Sequence, residues 1–167
     1  FSHKLHAGEL GMDCRYCHNT VEYASRAAIP PTQTCMNCHL KIRPESDAIA
    51  PLMESYETGM PMQWVRVHDL PDYSYFDHSA HVNRGVSCVE CHGRVDTMET
   101  VWQVHSLSMG WCLECHRDPA PHVRDPDLVT QLEWGWDMGA AERIAEGAKW
   151  LDANHLQPSQ DCSTCHR

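Results

Sequence analysis

All ten cysteines of this 167-residue chain stand in one repeated pattern. The five occurrences are Cys14-Arg-Tyr-Cys17-His18, Cys35-Met-Asn-Cys38-His39, Cys88-Val-Glu-Cys91-His92, Cys112-Leu-Glu-Cys115-His116 and Cys162-Ser-Thr-Cys165-His166. C-x-x-C-H is the attachment signature of haem c. The two thiols form thioethers with the porphyrin vinyl groups, and the next residue brings an imidazole to the proximal face of the iron. The pattern therefore calls for five covalently bound haem c groups, held through Cys14, Cys17, Cys35, Cys38, Cys88, Cys91, Cys112, Cys115, Cys162 and Cys165, with His18, His39, His92, His116 and His166 as iron ligands.

Two other chemistries use C-x-x-C. Zinc sites built from cysteine alone consume such pairs two at a time, which leaves one of five unused, and they give no reason for a histidine after every pair. With 13 His in the chain, five trailing histidines by chance have odds of about one in several hundred thousand. Disulfides inside C-x-x-C close loops so short that they constrain almost nothing. Haem c is the reading that uses every residue of the pattern.

Each iron also has a second face. Histidine there gives a low-spin centre, methionine raises the potential, and an open face suits ligand binding. Eight histidines lie outside the motifs: His3, His6, His68, His78, His81, His105, His122 and His155. Four of them form a repeat, Phe1-Ser-His3-Lys-Leu-His6 and Phe76-Asp-His78-Ser-Ala-His81. Two histidines at i and i+3 leave a helical turn on nearly the same side yet diverge, so each can serve a different haem. His3, His6, His78 and His81 are thus the leading distal ligands. His68 is the next candidate. Met109, shortly before the fourth motif, is the best thioether, and His105, His122 and His155 are expected to be exposed side chains.

The elements that must position these residues are few. The net charge is −10 and mean hydropathy is −0.51. A chain this acidic repels phosphate, which excludes a nucleic-acid binder. No stretch reaches the roughly 18–20 apolar residues that span a bilayer. Five haems in 167 residues leave roughly 33 residues each, too few for an ordinary core of the usual domain proportions. The expected fold is mostly irregular with short α-helices, a polypeptide wrapped around its porphyrins. The first cysteines lie at 14, 35, 88, 112 and 162, which suggests a dihaem module over 1–66, a second over 67–125, and a C-terminal helix with the fifth motif over 126–167. A short helix is expected over 46–58, capped by Asp47 and ended by Gly59. Another is expected over 139–153, capped by Asp137. Its stripe of Ala141, Ile144, Ala145, Ala148 and Leu151 is expected to pack on haem edges or a neighbouring subunit. Haem c is matured outside the cytoplasmic membrane, so a periplasmic location follows. Because the sequence opens at Phe1 inside a motif, a leader or anchor helix is expected to precede it.

F-x-H-x-x-H ahead of C-x-x-C-H resembles the class III multihaem cytochromes. The resemblance implies that His3 serves the haem of Cys14–His18 and His78 that of Cys88–His92, while His6 and His81 reach other haems. Residues Trp64 to His81, Cys88 to Gly93 and Met109 to Arg117 together look like the pentahaem subunit of alternative complex III, a membrane-bound menaquinol oxidoreductase. The likeness is dense over 1–120 and returns over 161–167. It implies an electron-transfer subunit rather than an enzyme in itself, and the partners of such a complex: an iron–sulfur subunit resembling molybdoenzymes, integral membrane quinol-binding subunits and a monohaem cytochrome c. The alternatives are a freely diffusing periplasmic carrier and a multihaem reductase with one open haem. The surplus of candidate ligands argues against the reductase.

Overall fold

Each cysteine pair closes a single helical turn, because residues at i and i+3 project from the same side of a helix. In the computed structural model, which describes residues 1–166, these turns are α1 (Cys14–Cys17), the end of α2 (Thr32–His39), α5 (Cys88–His92), the second half of α6 (Met109–Arg117) and α8 (Cys162–Cys165). Helices this short need their free N–H groups satisfied from outside. Asp13 caps α1 through Arg15 N–H, Ser108 caps α6 through Trp111 N–H, and Asp161 caps α8 through Ser163 N–H. Arg167, at the end of the family-like C-terminal stretch, lies outside the described residues.

The repeated F-x-H-x-x-H turns also form. His78 and His81 sit on α4 (His78–Val82), capped by the Asp77 carboxylate. His3 and His6 sit at the start of a π-helical turn, Lys4–Glu9. Ser2 takes the Asp77 position there, and its hydroxyl accepts from Leu5 N–H at 3.1 Å.

Two longer helices complete the chain. α3 spans Ala50–Thr58, with Pro51 in its first turn and Gly59 ending it in the left-handed region at φ 70°. Asp47 does not cap it. Proline favours the first turn of a helix, so the helix begins beside Pro51 and its cap position falls on Ile49. α7 spans Ala140–Ala153, and its cap position is Gly139 rather than Asp137.

The apolar stripe of α7 faces outward: Ala141, Ile144, Ala145 and Ala148 are exposed and Leu151 is half-buried. The buried position on this helix is Gly147. Gly147 lies on the backbone of the turn Ala120–His122, where an added Cβ would meet the Ala120 carbonyl oxygen at 1.9 Å. Close backbone approach, which only glycine permits here, docks this side of the helix and leaves the apolar stripe exposed.

Among the described residues there is no extended sheet, only isolated bridges at Ser74–His166 and Val86–Val123. Buried apolar side chains among them are confined to Met36, Leu52, Val82, Met98, Val123, Val129 and Leu132. No helix among the described residues is long and apolar enough to cross a membrane. Backbone bonds tie distant parts together: Lys4 N–H to Met98 O at 3.0 Å, His78 N–H to Ser25 O at 3.1 Å, and Tyr75 N–H to Cys165 O at 2.8 Å. The three sequence segments interlock through these bonds.

Candidate haem-binding sites

The imidazoles come in facing pairs. His3 and His18 are parallel within 4° with ring centres 6.4 Å apart, and His78 and His92 are parallel within 6° at 6.3 Å. His6 faces His39 at 6.2 Å and His81 faces His116 at 6.1 Å, with ring planes turned by 58° and 48°. Rings packed on each other would be closer. A metal–imidazole bond of about 2.0 Å on each side, plus about 1.1 Å from each Nε2 to its ring centre, gives about 6.2 Å. The observed gap matches the space that two imidazoles sharing one metal ion would leave.

The ring nitrogens are set accordingly. A ligating imidazole presents one nitrogen to the metal and donates from the other, usually to a carbonyl. Nδ1–H of His18 donates to Ala28 O at 2.8 Å, of His39 to Ile42 O at 3.0 Å, of His116 to Ser159 O at 2.6 Å and of His166 to Tyr73 O at 3.1 Å. The partner rings do the same: His6 to Ser2 O at 2.9 Å, His78 to Ser25 O at 2.9 Å and His81 to Asp77 O at 2.7 Å. Each carbonyl locks the tautomer that leaves Nε2 free to ligate. Burial, with His68, His78, His18 and His3 alongside, pushes the His92 pKa down to about 4, so it stays neutral, as a ligand must. Burial likewise lowers His3 and His81.

The phenylalanine of each repeat orients its two histidines. Phe1 meets His3 edge-on at 4.9 Å and stacks on His6 at 4.4 Å. Phe76 meets His78 edge-on at 4.8 Å and stacks on His81 at 4.5 Å. The matching geometry explains why phenylalanine recurs at that position.

His166 has no facing ring of this kind among the described residues. Its neighbour Tyr73 is tilted at 5.9 Å. His68 does not fill that place. It stands edge-on to His92 at 4.5 Å, with planes at 77°, while His92 already faces His78. The residues after His68 carry the chain to the fifth motif, so His68 itself stays with the third. Its Nε2 is buried without a partner. Met109 opens α6 and is 66% exposed. It shares a helix face with Cys112, three residues on, and Cys165 lies close enough to Cys112 to add to the burial that raises its thiol pKa. His105 stacks on Trp111 at 5.3 Å, and His155 sits in the left-handed region past the end of α7.

A polar cluster that sequence reading did not single out lies behind the third motif. Glu90, between Cys88 and Cys91, accepts from Arg124 Nη2 at 2.7 Å and from His122 Nδ1 at 2.8 Å. The hydrogen bond to Glu90 raises the His122 pKa. Arg124 is buried and lies over the Trp134 ring at 4.6 Å, and Arg94 covers Trp136 at 4.1 Å. Trp150 Nε1 donates to Arg84 O at 3.1 Å.

Among the described residues no three or more His, Cys, Asp or Glu side chains gather as a metal cage. The donors are paired across gaps instead, which is the arrangement haem iron requires, and each pair includes the histidine of a C-x-x-C-H motif. The residues fit haem c. No family model matches the chain. It is 28% identical, over 171 aligned residues, to the multihaem cytochrome c subunit of menaquinone reductase from Nitratidesulfovibrio vulgaris. The match covers all of this chain and 75% of that protein.

Proposed function

We propose that this chain is a pentahaem electron-transfer subunit of a membrane-bound quinone oxidoreductase on the periplasmic face of the membrane, and not an enzyme on its own. The observation that carries this reading is the set of four imidazole pairs spaced at 6.1–6.4 Å. When bound, haem c supplies one-electron iron chemistry. His18, His39, His92 and His116 would hold iron from the side of their own motifs, and His3, His6, His78 and His81 from the facing side. With an imidazole from each side, these sites would leave no iron face open and would keep ligand rearrangement small. The backbone carbonyls on Nδ1 make each ligand more basic. His68 and Met109 are the further proposed distal ligands, Met109 on α6 three residues ahead of Cys112.

The resemblance to alternative complex III over residues 64–117 supports membership in that type of assembly. Its partners would be an iron–sulfur subunit, membrane quinol-binding subunits and a monohaem cytochrome c, with electrons leaving quinol. The relative is named a menaquinone reductase, which favours a second reading in which the same sites feed electrons toward quinone. Both are tested on the native complex isolated from membranes. Reduction of its haems by a menaquinol supports the first direction, and reoxidation of pre-reduced haems by a menaquinone supports the second. A protein recovered without membrane subunits would be a free carrier. A high-spin ferric signal that changes on adding an oxidised nitrogen or sulfur substrate would make it a reductase.

A further inference from the structure

The order of the five motifs in space differs from their order in the sequence. The first repeated turn carries His3 and His6, which face His18 and His39, so motifs one and two are neighbours. Asn37 Nδ2 ties them again, donating to the Tyr16 hydroxyl at 3.0 Å. The second turn carries His78 and His81, which face His92 and His116, so motifs three and four are neighbours.

The two pairs meet through motifs one and three. The Cys14 and Cys88 side chains lie side by side. Asp13, the cap of α1, accepts from Thr130 Oγ1 at 3.0 Å, and the adjoining Val129 carbonyl accepts from Cys88 N–H at 3.2 Å. His78 donates to Ser25 O in the loop after the first motif. The fifth motif attaches to the fourth, through His116 Nδ1–H to Ser159 O at 2.6 Å and the proximity of Cys165 to Cys112.

We infer that the five haem sites form one unbranched line in the order motif two, one, three, four, five, with its ends at Cys35–His39 and Cys162–His166. The inference rests on the pentahaem reading above and adds where electrons enter and leave. A separate observation agrees: Cys38 and Cys162 are the exposed cysteines, while the other eight are half-buried. The two ends of the line are the sites that a redox partner can approach. The first motif, first in sequence, is interior and relays between the dihaem pairs.

The test is the iron substructure of the holoprotein, located by anomalous scattering at the iron edge and assigned through the attached cysteines. The expected result places the motif-one and motif-three irons next to each other across the pair boundary, with the irons of motifs two and five each having a single near neighbour. A motif-two iron adjacent to motif three, or a motif-five iron adjacent to any site but four, overturns the order. Fewer than five covalently held irons would overturn the functional reading itself, so the two failures are distinguishable.

Discussion

Replacing Glu90 should expose how much the fold depends on one carboxylate behind the third motif. Its two oxygens hold Arg124 at 2.7 Å and His122 at 2.8 Å. The Arg124 side chain is only 4% exposed, and its Nε already lacks a partner. Glu90→Ala leaves that guanidinium buried and uncompensated, which costs about 3–5 kcal/mol. Glu90→Gln keeps an acceptor of the same shape but loses the charge, and should cost less, about 1.5–3 kcal/mol. The pH dependence follows from His122, whose folded pKa is raised by the bond to Glu90. Its contribution is complete below the unfolded value of about 6.5 and is lost as pH rises through the raised folded value. The His122 side chain is 39% exposed, so solvent screening keeps this part small. Guanidinium unfolding of the holoprotein, followed by Soret circular dichroism at about pH 5.5 and about pH 8.5, measures both effects. Native protein should lose stability toward the higher pH, and Glu90→Gln should lack that slope. A Glu90→Ala cost below about 1 kcal/mol, or an unchanged slope in Glu90→Gln, would mean that Glu90 does not hold Arg124 and His122 in this way.

Three further outcomes are expected. His81→Gly removes the ring facing His116, so ferric electron paramagnetic resonance should gain a high-spin signal that added imidazole converts back to low spin; no new signal would contradict the pairing. The native ferric spectrum should contain two low-spin classes, rhombic from the near-parallel pairs at 4° and 6° and nearly axial from the pairs turned by 58° and 48°; a single class would contradict these ring angles. Gly147→Ala forces a methyl toward the Ala120 carbonyl, so α7 should undock at a cost of about 1–3 kcal/mol or more, seen as faster amide exchange over 140–153.

How much of this was legible in the sequence depended on how far apart the cooperating residues lie. The proximal histidines follow their cysteines directly, and one helical turn fixes their relation. The F-x-H-x-x-H repeat marked His3 and His78 beside nearby motifs. That His6 stands opposite His39, and His81 opposite His116, needed tertiary structure, because each pair spans more than thirty residues of turns without a readable period. Glu90, Arg124 and His122 were invisible for the same reason. Helix α7 was placed correctly along the chain, but its docking onto Ala120–His122 was not legible, since the stripe recorded hydrophobicity whereas Gly147 recorded where another backbone must pass. Asp47 and Asp137 have the chemistry of caps, yet the cap positions fall two residues later, on Ile49 and Gly139. His68, the fifth candidate, stands beside His92, a placement that no sequence spacing marks.

The intact mass of the native polypeptide bears on all five haem sites at once, because each requires thioether attachment at both cysteines of its motif. A mass larger than the bare chain by five haem groups, each mapped to one C-x-x-C-H peptide, is the result predicted. A smaller number of covalent haems, or a chain carrying zinc and no haem, would contradict it.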